Sequence, residues 1–394
     1  MSAIQDKDIL ILTHLYASFI KDQVEVIANS YKHIDVLVRR NRIADISNIL
    51  PINYLKPFSS AAVMDVAHKP DNVQVYETPV LYAPTVRGYK NLSKKHYYSA
   101  EKVVTANKLH FDFMHAHIIV SAGYAGAMLK EKYGVPLVVT AHGIDIYDTP
   151  FRDDEWRQQT EYVLNTADQI ITVSEKNNSC IKRLNVKTPV TVIPNGYRKD
   201  LFHPMSMKEC RSKLGLPQDK KIIVTVGKLF KIKGHTYLID AMGEIIKNRK
   251  DVLCVIVGDG ELRQTLEKQI KSKGLEPYIM ITGGRPHSEI PMWINAGDIF
   301  VLPSLNEGNP TVMFECLGCG KPFIGSSVGG VPEVITSDEL GYLVQPADVK
   351  ALADKLSLAL GRSWDGERIY EYASAFTWEK IAEDIIQVYK KLPG

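Results

Sequence analysis

The chain has 394 residues, 45% hydrophobic and 24% charged, a globular composition long enough for two domains and too apolar for disorder. A formal net charge of only +3 gives nucleic-acid binding no support. Five scattered cysteines, Cys180, Cys210, Cys254, Cys316 and Cys319, are odd in number and follow no secreted-framework spacing, so a reducing cytoplasm is the expected compartment. Neither an apolar run of membrane-spanning length nor a basic-then-apolar leader occurs, so no export and no membrane span are expected.

Short apolar runs alternate with helical patterns along the chain. The spacing predicts strands at residues 8–13, 34–39, 111–117, 135–141 and 168–174, then at 221–227, 252–258, 278–282, 298–302 and 322–325. Alternating β and α implies parallel sheets covered by helices. Residues 190–204, with Pro194-Asn195-Gly196 and His203-Pro204, read as a linker. The expected class is therefore α/β with two doubly wound, Rossmann-like domains, residues 1–203 and 204–375. Sheets of this kind bind ligands beyond the carboxyl ends of their strands. Trp378, Ile381, Ile385, Ile386 and Tyr389 predict an amphipathic helix after Thr377.

Residues 303–322 carry the densest functional signal. Pro303-Ser304-Leu305-Asn306-Glu307-Gly308-Asn309-Pro310-Thr311 leads from a buried strand into a helix, with Gly308 for a tight turn and Pro310 suited to the first helical position. The opening turn of such a helix presents backbone N–H groups and the positive end of its dipole, which favours a diphosphate. Glu307 then sits at the mouth, and Glu315 lies deeper, about 7 Å along the axis at 1.5 Å per residue. Carboxylates at two depths suit two parts of a sugar nucleotide, because each accepts several strong hydrogen bonds from hydroxyls.

Two other strand ends add chemistry. Gly227-Lys228-Leu229-Phe230-Lys231-Ile232-Lys233-Gly234 sets lysines on a glycine turn without the Walker order; alone it reads as an exposed basic loop, and beside the Glu307 helix mouth as a diphosphate site. His142 begins His-Gly-Ile-Asp after the run at 135–141 and reads as a polar contact to a bound sugar. His115 and His117 alternate on one strand and face one way, but no third ligand at recognised spacing joins them, so a structural role is expected rather than a metal. Asp6-Lys7-Asp8 precedes a strand, which also argues against a metal-binding diacid. Gly325-Ser326-Ser327-Val328-Gly329 resembles a nucleophile elbow, yet no histidine follows His287. Gly258-Asp259-Gly260 lacks the third glycine of a dinucleotide fingerprint, and Cys316 and Cys319 read as core.

Residues 87–110 carry Arg87, Lys90, Lys94, Lys95, Lys102 and Lys108 against the single acid Glu101. The plain reading is a solvated helix face. The sharper one is peripheral contact with anionic lipid at the inner membrane face, with Tyr89, Leu92, Tyr97 and Tyr98 as interfacial apolar groups.

Several blocks in order resemble the family 4 retaining glycosyltransferases. They are Gly227-Lys228-Leu229 to Lys233-Gly234, Val257-Gly258-Asp259-Gly260, Gly283-Gly284-Arg285, Pro303-Ser304 to Glu307-Gly308, Glu315, Gly320-Lys321-Pro322 and Gly329-Gly330-Val331-Pro332-Glu333. His115-Ala116-His117, His142-Gly143 and Pro194-Asn195-Gly196 fit in the first domain. The resemblance implies the GT-B fold, with the two domains facing each other across a cleft and residues 376–394 forming a C-terminal helix that crosses back to the first. It implies that Lys228 and Lys233 neutralise a leaving diphosphate and that Glu307 and the amides of Gly308 and Asn309 hold the transferred sugar, Pro310 and Thr311 completing that stretch. Glu315 would accept from ribose hydroxyls, Gly284 and Arg285 would contact the base, and His142 would lie near the reacting carbon. The implied donor is a UDP- or GDP-linked sugar, the acceptor a glycan or lipid-linked chain, and the reaction retaining, with no metal and no cofactor.

Two departures stand out. Lys228 occupies a position where arginine is common, and Thr13-His14-Leu15-Tyr16-Ala17-Ser18 lacks the glycine pair that usually ends the first strand, leaving His14 as its candidate replacement. Two rival readings share the fold, a nucleotide-sugar epimerase and a non-catalytic sugar-nucleotide-binding protein; the four charges Lys228, Lys233, Glu307 and Glu315 argue against the second.

Overall fold

The computed structural model describes residues 6–44, 63–82 and 85–393. They form two compact units, Met1–Pro194 with Trp378–Gly394, and Asn195–Thr377.

The first unit is built on a seven-stranded sheet in the order β3-β2-β1-β4-β5-β6-β7. Its strands are β1 Asp8–Thr13, β2 His33–Asn41, β3 Val73–Val80, β4 Phe113–His117, β5 Leu137–Ala141, β6 Gln169–Thr172 and β7 Val190–Val192. The second unit has a six-stranded sheet in the order β10-β9-β8-β11-β12-β13, from β8 Lys221–Val226, β9 Val252–Val257, β10 Ile279–Gly283, β11 Ile299–Leu302, β12 Phe323–Ser326 and β13 Gly341–Val344. Every pairing in both sheets is parallel. Strand order reverses between β1 and β4 and again between β8 and β11, which makes both sheets doubly wound and fixes a switch point in each.

Helices cover both faces, so alternate residues of a strand enter different cores. In β8, Ile222 and Val224 join Trp293 and Phe314, whereas Ile223 packs with Leu238, Met242 and Leu356. In β1, Leu10 and Leu12 face Leu129 and Leu137, whereas Ile9 and Ile11 meet the helix Trp378–Tyr389 through Trp378, Ile381 and Ile385. That helix lays an apolar stripe at helical spacing against the helix Ser18–Ala28 and β1, so it is counted with the first unit although it follows the second in the chain.

Three features depart from the sequence reading. The stretch at 190–204 is more than a linker: β7 closes the edge of the first sheet, while Tyr197 and Phe202 are buried in the core of the second unit, so the division falls at Pro194 rather than at residue 203. Residues 376 and 377 stay with the second unit because Phe376 O accepts from Tyr197 N at 3.1 Å and Thr377 bridges Tyr197. Strands β3 and β13 were not predicted: Val-Gln-Val-Tyr-Glu-Thr-Pro-Val breaks its apolar pattern with polar residues and a proline, as an edge strand does, and Gly-Tyr-Leu-Val is only four residues long.

Gly234 shows how tightly the β8 and β11 loops meet. Its φ is +68°, and a Cβ there would lie 1.9 Å from the carbonyl oxygen of Pro303; Gly215 has a φ of +67° with nothing within 4 Å. Gly215→Ala carries the backbone cost alone, about 1–2 kcal/mol, whereas Gly234→Ala adds a clash of the new methyl with the Pro303 carbonyl. Thermal unfolding checks this: Gly234→Ala lowers the Tm at least twice as far as Gly215→Ala, and equal shifts contradict the packing described.

Candidate functional site

In the second unit the loops leaving β8 and β11 lie side by side at the switch point. Leu305 N donates to Ile232 O at 2.7 Å, and Gly234 seats against Pro303. The β9 loop supports the first of them: Gly227 N bonds Val257 O at 3.0 Å, Leu229 N bonds Asp259 O at 2.9 Å, and Gly258 lies against the Gly227 carbonyl at a distance no side chain would permit. The Val257-Gly258-Asp259-Gly260 block thus holds up the lysine loop.

This arrangement brings Lys233 to Glu307. Lys233 Nζ lies 2.6 Å from Glu307 Oε1, and Ser304 Oγ donates to the same oxygen at 2.6 Å. Glu307 is 9% exposed, and these two donors satisfy its buried oxygen. The sequence identified both members of the pair but not the bond between them, nor the part played by Ser304. Lys228 remains accessible to solvent, yet desolvation by its surroundings, followed by the like charge of Lys233, lowers its pKa.

Gly308, Asn309 and Pro310 are buried at the head of the helix Thr311–Gly318. Pro310 is the residue before the helix rather than its first, because its ψ of 120° is extended; the proline ring constrains φ, here −71°, and leaves ψ open. Asn195 fixes that conformation: its backbone N–H bonds Asn309 Oδ1 at 2.9 Å and its side-chain amide bonds Asn309 O at 2.7 Å. The Pro194-Asn195-Gly196 block, placed in the first domain from sequence, therefore braces the helix head of the second. Glu315, 8% exposed, lies 3.1 Å from His287 Nε2, a partner the sequence did not flag. Gly284 and Arg285 are exposed at the end of β10, with the Arg285 guanidinium 5.4 Å from the Trp293 ring centroid.

In the first unit His142 lies beyond the end of β5. Its Nε2 is 3.0 Å from His117 Nδ1, and the two rings stack with centroids 5.3 Å apart. Burial pushes the His142 pKa down to about 4 and that of His115 to about 3; His117 falls well below the ordinary value through burial and the nearby His115, His142 and His14. His117 Nε2 and His142 Nδ1 are buried without a hydrogen-bond partner among the described residues. Asp145, itself buried, accepts from Gly143 N at 2.8 Å and Ile119 N at 3.0 Å and so joins the β4 and β5 loops.

Of the proposed lipid-contact residues, Leu92 is buried, Tyr97 packs against a core, Tyr89 stacks near Tyr82 and only Tyr98 is exposed. Lys90 pairs with Asp153 and Glu155, and Lys132 with Glu101. The apolar half of an interfacial helix is thus largely turned inward. Among the described residues no helix is long and apolar enough to cross a membrane. One group with metal-ligand spacing, Asp8, His110 and Asp112, lies at the amino-terminal ends of β1 and β4, opposite the switch-point loops, and Asp8 is already paired with Lys32 at 3.5 Å. Cys316 and Cys319 are buried core thiols, as their helical setting suggested.

The family described as Glycosyl transferases group 1 matches residues 206–376, and Glycosyltransferase Family 4 matches residues 62–201. Among relatives, the chain is 31% identical over 258 residues to TuaC of Bacillus subtilis, named as a teichuronic acid biosynthesis glycosyltransferase, which covers 65% of this chain and 63% of TuaC. It is 28% identical over 304 residues to D-inositol 3-phosphate glycosyltransferase of Corynebacterium glutamicum, 72% of each chain. Sucrose-phosphate synthase from Thermosynechococcus elongatus superposes with a TM-score of 0.81 at 22% identity over 98% of both chains. Anabaena HepE, solved with UDP and glucose, superposes at 0.75 with 20% identity over 98% of this chain and all of the other. The chain belongs to the family 4 glycosyltransferases. It has their GT-B fold of two Rossmann-like domains.

The neutral histidines predict an acid-sensitive first unit. In that unit His96 and His115 have folded pKa values of about 3, His142 of about 4 and His117 well below the ordinary value, against about 6.5 unfolded. The unfolded chain therefore binds more protons between those values, and the stability these residues contribute above pH 6.5 is lost as pH falls toward 4. Buried Asp35 and Asp145, whose pKa values are raised, oppose this at the acid end. Melting curves check the balance: Tm falls between pH 7.5 and pH 5, and a level or rising Tm contradicts it.

Proposed function

We propose that the protein transfers a glycosyl unit from a nucleoside-diphosphate sugar to a hydroxyl of a glycan or lipid-linked acceptor, with retention at the anomeric carbon. The observation that carries this reading is the Lys233–Glu307 pair, braced by Ser304 where the β8 and β11 loops meet at the head of a helix. A carboxylate held there accepts from sugar hydroxyls, while the lysine beside it and Lys228 face the charge that develops as the anomeric C–O bond breaks.

The step balances without a protein nucleophile. The bond from the anomeric carbon to the diphosphate breaks, the electron pair leaves on the phosphate oxygen, the acceptor oxygen attacks from the same face, and its proton passes to the departing diphosphate. Lys228, Lys233 and the helix N-terminus stabilise that anion, so this reading assigns no metal to catalysis and no cofactor. Glu315, with His287, holds the ribose, Gly284 and Arg285 flank the base, and neutral His142 contacts the sugar near the reacting carbon. UDP, bound in the HepE structures, is the first nucleotide to test, with GDP next. Five free buried thiols support a cytoplasmic setting.

Turnover of a panel of UDP- and GDP-sugars, followed by nucleotide release and by proton NMR of the product's anomeric signal, tests the reading. Glu307→Gln and Lys233→Ala each lower kcat at least about 100-fold, the scale for losing one charge-stabilising contact, measured at a temperature where circular dichroism shows each variant folded. Near-normal turnover in either variant contradicts the assignment. An altered sugar released without any acceptor instead identifies an epimerase, and tight binding with no turnover a sensor.

A further inference from the structure

We infer that Tyr389, on the last helix, is a positioning residue for His142, acting through a ladder of imidazoles on β4; the inference rests on the assignment of His142 to the sugar end of the reaction. His115 and His117 alternate along β4 and point the same way, with ring centroids 4.2 Å apart and planes inclined by 33°. Both are fully buried. The Tyr389 hydroxyl lies 2.6 Å from His115 Nδ1, and Thr140 Oγ1 on β5 lies 2.7 Å from His115 Nε2. His117, packed against His115, reaches His142 through the 3.0 Å contact between Nδ1 and Nε2. The series runs Tyr389, His115, His117, His142.

Each rung constrains the next. A neutral imidazole offers one N–H and one bare nitrogen, so a hydrogen bond between two imidazoles requires complementary tautomers. Whichever nitrogen carries the shared proton, the bond fixes the tautomer of His142 and decides whether its Nδ1 donates to or accepts from a ligand hydroxyl. Nδ1 is the His142 nitrogen with no partner among the described residues. The backbone around His142 is held separately, by Asp145 on Gly143 N, and Phe19 packs an edge against the ring with centroids 5.3 Å apart. What remains to be set is the plane and tautomer of the ring, which His117 sets.

His115 restricts the ring of His117 by packing against it in a tilted pair, and His115 is itself held because both its nitrogens face hydroxyls. Removing the Tyr389 oxygen leaves a buried nitrogen without a partner, and the ring is then free to turn to find one. The tyrosine ring is secured independently by Phe113 at 4.9 Å and Tyr31 at 6.0 Å between centroids, so Tyr389→Phe deletes one oxygen and keeps the packing.

The test uses the full chain with histidine labelled at its ring nitrogens. Tyr389→Phe lowers kcat about tenfold with donor KM unchanged, and the nitrogen signals of His142 move. In a His142→Asn background the same substitution changes turnover less than twofold, because the group it positions is gone. If His142→Asn turns over like wild type, the assignment of His142 falls and the ladder has nothing to position. If His142→Asn is impaired while Tyr389→Phe keeps wild-type kcat and unmoved His142 signals, the ladder alone falls. A tenfold loss that persists in the His142→Asn background marks a general structural effect and also overturns the inference.

Discussion

A carboxylate buried where the β8 and β11 loops meet is the constraint from which the second unit's architecture at this switch point follows. A buried carboxylate needs hydrogen-bond donors, and Lys233 and Ser304 supply them to Glu307. Lys233 reaches it only because Gly234 allows the β8 loop to lie on the Pro303 carbonyl, and the β8 loop holds its shape because Gly258 and Asp259 of the next loop support it. Asn195, from the segment that joins the two units, clamps the other side at Asn309. The blocks at 227–234, 257–260 and 303–309, with Asn195, are thus contacts of one another around the second unit's switch point.

The first unit solves a different problem. It gathers polar side chains at the ends of β4 and β5 and keeps them uncharged by burial, with three histidines held well below their ordinary pKa. Neutral imidazoles suit the contact of a sugar hydroxyl better than a cation would, since each can donate and accept at once.

Much of this was legible in the chain, and the limits are physical. The ten apolar runs each became a strand, because buried parallel strands read as continuous hydrophobic segments. Strands β3 and β7 escaped notice because edge strands do not need such runs, and β13 because four residues give too little pattern. Lys228, Lys233, Glu307 and Glu315 stood out because charges at strand ends and helix mouths are costly unless used. Their pairing did not: Lys233 with Glu307, Glu315 with His287 and Asn195 with Asn309 join residues far apart in sequence, and residue type at one position says nothing of its partner. His115 and His117 read as structural residues, yet their link to Tyr389 was invisible, since helical periodicity placed Tyr389 on an apolar stripe without showing where its hydroxyl lands.

The most direct measurement is a crystal structure of the protein with UDP or GDP bound. The account predicts the diphosphate beside the helix beginning at Thr311, within reach of Lys228 and Lys233, and the ribose hydroxyls on Glu315. A nucleotide seated elsewhere, with those lysines and Glu315 untouched, would contradict it.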